Sequence, residues 1–240
     1  MKLTYLFHSG FVIEGNGYAI VIDYYKDTDK TKRKGFVHDE LLKRKEKLYV
    51  LASHFHPDHF NPEVLEWKAQ RPDIVYLLSK DILQQQLARE NDAVYLEKGE
   101  HFEDENIRVD AFGSTDSGDS FVIRAEGKTI FHAGDLNSWH WMDESTREEA
   151  ENAELAFLSE LEDIANNTGH FDLAMFPVDP RMGTKFSMGA HQFVARIKTD
   201  IFVPMHFWQR PMEIEDFSTI AEIFGSRFVL LSEGGQSIDF

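Results

Sequence analysis

The ten residues "LASHFHPDHF" (51–60) crowd His54, His56, Asp58 and His59 into six positions of a chain with only 11 histidines among 240 residues. At this composition, random placement would produce H-x-H-x-D-H in roughly one such chain in 500, so the crowding calls for a chemical reason. The run "LYVLA" (48–52) leading into it is short and apolar, as a buried strand would be. Residues two apart in an extended segment point the same way, so His54 and His56 leave the strand end on one side. Pro57 ends the extension, and the turn brings Asp58 and His59 round to the same spot. The four side chains read as a metal-binding constellation of nitrogen and oxygen donors, suited to Zn²⁺, Mn²⁺ or Fe²⁺. The bland alternative is a polar loop whose histidines only hydrogen-bond.

Outward from this motif the chain alternates strands and helices. Residues 2–7, 11–14 and "YAIVID" (18–23) read as strands, with "GNG" (15–17) a tight turn between the last two. A charged loop and helix face fills 26–47. "NPEVLEWKAQ" (61–70) opens as a helix with Asn61 as cap and Pro62 in the first turn. "VYLLS" (75–79) and "DILQQQLARE" (81–90) repeat strand then helix. The second half has strands in 107–112, 120–135, 173–178 and 201–205, helices near 143–165, 189–198 and 213–224, and the closing "FVLLSEGGQSIDF". "FVIEGNGYAI" (11–20) and "FVIRAEGKTI" (121–130) align without gaps at an offset of 110 and share Phe, Val, Ile, Gly and Ile. Any two apolar hairpins look somewhat alike, but each of these heads a half with β-then-α alternation. A duplicated unit follows, with halves of about 1–106 and 107–240 packed sheet to sheet in one α/β domain over 1–240.

Composition narrows the partners. A net charge of −17 would repel nucleic acid and anionic lipid. No run approaches the ~20 apolar residues of a membrane span, and "MKLTYLFHSG" lacks the pattern of a signal peptide. With no cysteine, disulfides and thiolate ligands are excluded, and a cytoplasmic setting is expected. The expected partner is a small molecule; nothing in the composition fixes the oligomeric state.

Further candidate ligands stand at strand ends, where a sheet scaffold presents binding groups well. Asp135 closes "TIFHAGD" and His206 closes "IFVPMH". H-x-H-x-D-H after a strand, then "HAGD", then "VPMH", resembles the metallo-β-lactamase superfamily over nearly the whole chain. The early "HSGFVIE" and the late "EGGQSI" are similar to its ascorbate-phosphate lactonase-like branch. The resemblance implies a four-layer αββα sandwich with an internal pseudo-twofold repeat and two divalent ions (Zn, Mn or Fe) at one rim. It assigns His54 and His56 to one ion, Asp58, His59 and His206 to the other, and Asp135 to a bridge. It makes a metal-activated hydroxide the nucleophile, oriented by Asp58 as the catalytic carboxylate, with His132 supporting Asp135.

One departure matters. The family's third histidine for the first ion comes from a loop between the first two motifs, and "FGSTDSGDSF" (112–121) contains none. Asp116 is the best substitute, with His140 a second candidate and a weakened or empty first site a third, which would leave one ion. An aspartate there shifts preference from zinc toward Mn²⁺ or Fe²⁺. Arg181, His140 and Trp208 are candidates to touch substrate, although Arg181 pairs as readily with Asp179, and His8 is as readily a structural histidine. The leading reading is a metal-dependent hydrolase of a small anionic lactone, ester or phosphoester. Its rivals are a phosphodiesterase or nuclease, which the charge disfavours, and a degenerate metal-binding protein without activity. A diiron oxygen-reducing protein fits less well, because that branch carries an acid at the position of His56.

Overall fold

Strict alternation of buried faces drives the architecture. In a computed structural model that describes residues 1–29 and 34–240, the chain forms β1 (Lys2–Phe7), β2 (Gly10–Glu14), β3 (Tyr18–Ile22), β4 (Lys47–Ala52), α1 (Glu63–Glu66), β5 (Val75–Ser79), α2 (Lys80–Gln84) and β6 (Val94–Leu96). It continues through β7 (His101–Glu103), β8 (Arg108–Gly113), β9 (Asp119–Ala125), β10 (Lys128–His132), α3 (Arg147–Asn167), β11 (His170–Pro177), α4 (Met188–Arg196), β12 (Lys198–Met205), α5 (Phe217–Ile223), β13 (Arg227–Phe228) and β14 (Ser237–Asp239). Two seven-stranded mixed sheets result, in the orders β14-β1-β2-β3-β4-β5-β6 and β13-β12-β11-β10-β9-β8-β7.

Along the first sheet Leu3, Phe11, Ile13, Ile20 and Leu51 turn one way, into a core shared with Val109, Ile123 and Ile130 of the second sheet. Their neighbours Val12, Val21, Val50 and Leu78 turn the other way, against Val64, Trp67 and Ile82 of the α1–α2 side. Period-two alternation with both faces apolar is what a sheet covered on both sides requires. The opposite outer layer is built by α3, whose Phe157, Leu161 and Ile164 are buried, with α4 and α5 beside it. The result is the expected four-layer αββα sandwich.

The internal repeat holds at the level of pairing. Each sheet reads antiparallel, antiparallel, antiparallel, parallel, parallel, parallel from β14 or β7 inward. Ile13 pairs with Ile20 as Ile123 pairs with Ile130, 110 positions later. The two hairpin turns even touch, the Asn16 N–H donating to Glu126 Oε1 at 2.6 Å. Each half also sends its last strand across: β7 joins the second sheet and β14 the first.

Several elements differ from expectation. Among the described residues of 26–47 no long helix forms, only single turns at Phe36–Glu40 and Leu41–Lys43; residues 30–33 of that stretch lie outside the described part. The Asp27 carboxylate takes the Val37 and His38 N–H groups at 3.0 and 2.8 Å, and such side-chain capture competes with helix extension. Pro62 rather than Asn61 takes the cap position, although the Asn61 side chain accepts the Glu63 N–H at 3.0 Å, and the helix is one turn followed by a 3₁₀ turn at Trp67–Ala69. The helix expected over 81–90 stops early, with Gln86 in a left-handed conformation (φ 60°). The start of α3 is set four residues late by a capping box of Thr146 and Glu149. Among the described residues no helix is long and apolar enough to cross a membrane.

Candidate metal centre

The strand ends of both sheets deliver histidines and carboxylates to one rim. β4 leads directly into Ser53 and His54, and the turn at Pro57 returns His59, whose N–H donates to the His56 carbonyl at 2.9 Å. β10 runs into Asp135 through Gly134, which has φ 53° and leaves no room for a side chain, since a Cβ would sit 2.8 Å from the Asp119 carbonyl and from Ser53. The loop after β8 carries Asp116 and is pinned by Gly118 (φ 61°), where a Cβ would meet the Ser53 carbonyl at 2.1 Å. His206 follows β12.

Buried carboxylates choose which ring nitrogen faces the centre. Asp23, fully buried at the end of β3, accepts from Ser53 Oγ at 2.6 Å and from His59 Nδ1 at 2.7 Å. With its proton committed to Asp23, Ser53 Oγ accepts from His54 Nδ1 at 3.0 Å. Asp179, also fully buried, accepts from His206 Nδ1 at 2.8 Å. Each pairing leaves Nε2 as the lone-pair nitrogen on the inner side. His132 is buried; its Nδ1 accepts the Gly134 N–H at 3.1 Å and its Nε2 reaches the Ser9 carbonyl at 2.9 Å. It therefore braces the turn that carries Asp135 and does not touch the carboxylate itself.

The inward atoms fit divalent cations. Among the described residues His59 Nε2, His206 Nε2 and Asp135 Oδ1 are buried without a hydrogen-bond partner, yet Oδ1 lies 3.1 Å from the first and 3.3 Å from the second. Buried acceptors converging without donors are costly unless a cation sits among them. The other oxygen, Oδ2, is 3.5 Å from His54 Nε2. His54 Nε2 is 3.0 Å from His56 Nδ1, which is 3.4 Å from Asp116 Oδ2. Two groups emerge, each with donor atoms within 4.8 Å of one another: His54, His56, Asp116, Asp135 and His8, Asp58, His59, His206. Asp135 faces both.

The cluster's charges lean on one another, and a cation binding at His59 Nε2 would displace the proton favoured there. Burial opposes charge on Asp135, yet His59 and His206 hold its carboxyl well below the usual range. Burial would lower His59, but Asp135 and Asp23 raise it well above an ordinary imidazole. Asp58 stays low against burial because His8 and His59 face it. His8 is pushed down to about 3 by burial and by His206, so its ring is neutral.

Not every expected residue reaches the centre. His140 is buried elsewhere, with Nε2 on the Lys185 carbonyl at 3.1 Å and Nδ1 accepting the Met142 N–H at 3.1 Å. Both nitrogens are committed, so it is neither the missing ligand nor free for substrate. Asp116 does reach His56 and stays half exposed at 45%. Arg181 forks onto Asp179 (Nη2 to Oδ2 2.5 Å) and lies 5.0 Å over the Trp208 ring, half exposed at the rim. Trp208 packs 4.2 Å from the His8 ring and lines a neighbouring cleft of about 520 Å³ with Phe7 and Gln209. Sequence spacing does not single out Asp23 or the orienting role of Asp179; the signal it holds is that each follows a buried strand, as the ligand candidates do.

Comparison with known proteins agrees with this geometry. A family model described as "Beta-lactamase superfamily domain" matches residues 2–206. The chain is 24% identical over 258 residues to a UPF0173 metal-dependent hydrolase of Pelotomaculum thermopropionicum, with all of both chains covered. It is also 24% identical to a UPF0173 metal-dependent hydrolase of Pyrococcus furiosus, covering 100% of this chain and 99% of the other. In structure it is similar to Igni18, a metallo hydrolase from Ignicoccus hospitalis, with TM-score 0.69, 19% identity and coverage of 100% and 98%. With the paired sheets, the H-x-H-x-D-H turn and the match over most of its length, the chain belongs to the metallo-β-lactamase superfamily.

Proposed function

We propose that this protein is a metal-dependent hydrolase that holds two divalent cations and cleaves a lactone, ester or phosphoester in a small anionic metabolite. The observation that carries the reading is Asp135, whose two carboxylate oxygens face two different sets of histidine nitrogens. His54, His56 and Asp116 would hold one ion, Asp58, His59 and His206 the other, with Asp135 between them. When bound, such a pair supplies an activated water and a positive clamp for the oxygen on which charge develops.

The chain's own groups do the positioning. Asp23 and Asp179 keep the protons of His59 and His206 on Nδ1, away from the reacting side. Asp58 has 24% of its side chain exposed, so it can accept a hydrogen bond from the attacking water and turn its lone pair toward substrate. Arg181 stands beside Trp208 with donors near the rim, suited to an anionic substrate group. The likeness of "HSGFVIE" and "EGGQSI" to ascorbate-phosphate lactonase-like enzymes supports a cyclic ester or phosphorylated substrate. The −17 charge weighs against nucleic acid.

Protein produced with ample Mn²⁺, Fe²⁺ and Zn²⁺ should carry between one and two ions per chain by elemental analysis. It should hydrolyse at least one member of a panel of lactones, carboxylic esters and phosphoesters and lose that activity on chelation. No bound metal under any of these conditions overturns the reading.

A further inference from the structure

His8, in "FHSG" after β1, is wholly buried, and among the described residues neither of its ring nitrogens makes a hydrogen bond. Leaving an imidazole without a partner in the interior costs free energy, so this ring needs an engagement that the protein's donors and acceptors do not provide. Its neighbours are the rings of His206 at 4.1 Å and Trp208 at 4.2 Å, with His59 at 5.7 Å. Nε2 lies 3.2 Å from Asp58 Oδ2 but out of line for a hydrogen bond.

The backbone is braced to put the ring there. His8 has φ 60° and His206 φ 65°, a left-handed conformation unfavourable for residues with a Cβ. The Tyr5 hydroxyl accepts the His8 N–H at 2.8 Å, and the His206 N–H donates to the His8 carbonyl at 3.4 Å. Two histidines in strained backbone are thus tied together with their rings side by side, and strain of this kind persists only where its surroundings enforce it.

We propose that His8 is a direct metal ligand, so that the ion held by Asp58, His59 and His206 has a third imidazole. The inference rests on the dinuclear reading above. It makes the two sites unequal: His54, His56, Asp116 and Asp135 form an oxygen-rich site, and His8, His59, His206 and Asp58 a nitrogen-rich one. The imidazole missing from the first site is matched by an additional one at the second. Nitrogen donors suit Zn²⁺, whereas carboxylates also suit Mn²⁺ and Fe²⁺. The competing role for His8 is a hydrogen bond that only orients Asp58.

His8→Cys separates these roles, because a thiolate can bind the ion but cannot replace an imidazole N–H donor. The chain has no cysteine, so any sulfur-to-cobalt charge-transfer band in the Co²⁺-loaded variant arises at position 8. A near-ultraviolet band that saturates with one ion per chain is expected. Cobalt bound at the unaltered protein's stoichiometry without that band overturns the proposal. If the variant does not fold or takes up no cobalt, the unaltered Co²⁺ protein decides by NMR. Hyperfine-shifted imidazole signals are expected from His8, His54, His56, His59 and His206; a His8 ring with ordinary shifts beside four shifted rings refutes direct ligation. An unaltered protein that binds no Co²⁺ refutes the dinuclear reading, and this inference with it.

Discussion

Asp116 shows how a single residue can alter a site without altering the fold. Its carboxylate reaches to 3.4 Å from His56 Nδ1 while 45% of the side chain stays exposed, so it adds charge to the first site at little desolvation cost. Asp116→Ala should remove one ion and leave the ion of Asp58, His59 and His206 in place. Asp116→His should restore occupancy and tilt the preference toward zinc over Mn²⁺. Metal analysis after competition between equal Zn²⁺ and Mn²⁺ reads both effects; an Asp116→Ala protein with unchanged content of both ions would remove Asp116 from the ligand set. Asp135→Ala, by contrast, should weaken both ions and abolish hydrolysis while the far-ultraviolet circular dichroism barely changes.

The elements that carry the site also carry a pH-dependent strain between the two sheets. Ser79, the last residue of β5, donates to Asp119 Oδ2 at 2.6 Å, and Asp119 opens β9 in the other sheet. Burial pushes the Asp119 carboxyl up to about 7; the Ser79 hydroxyl opposes this and nearby Asp81 adds to it. The folded chain therefore keeps a proton that the unfolded chain releases near 3.8, and stability falls as pH rises from there to about 7. Asp119→Asn keeps an acceptor for Ser79 and removes the buried charge. Urea denaturation should show the variant gaining over the parent through that window, levelling off above it at a benefit on the order of 2–4 kcal/mol. A difference that does not change between about pH 4 and 8 would contradict the assignment.

At the scale of the whole molecule, the centre joins the sheets: His54 and His59 follow β4 in one, Asp135 and His206 follow β10 and β12 in the other. An ion bound there exists only in the folded state and so adds to global stability. Saturation at a hundred times the dissociation constant contributes about 2.7 kcal/mol per ion. Chelation should then lower the melting temperature by roughly 5–10 °C per ion lost in a chain of this size. Calorimetry with and without chelator measures it; unchanged melting of a protein that has lost its metal would mean the centre does not bridge the sheets energetically.

Local pattern is enough for the longer strands, the long α3 and the H-x-H-x-D-H turn, because period-two alternation and short ligand spacing are properties of neighbouring residues, whereas the two- and three-residue edge strands β6, β7, β13 and β14 carry too few residues to show it. The offset of 110 between "FVIEGNGYAI" and "FVIRAEGKTI" foretold a repeat that the pairing of Ile13 with Ile20 and of Ile123 with Ile130 bears out. Short helices are not legible in local pattern where a side chain outside them takes the backbone N–H groups, as Asp27 does for Val37 and His38. Only the folded chain decides the rest. His140 and Asp116 were rival substitutes, and folding commits both nitrogens of His140 to backbone groups while it turns Asp116 toward His56. His8, Asp23 and Asp179 carry no ligand spacing at all; His8 meets His206 from 198 positions away because sheet packing, not sequence proximity, brings strand ends to a common rim.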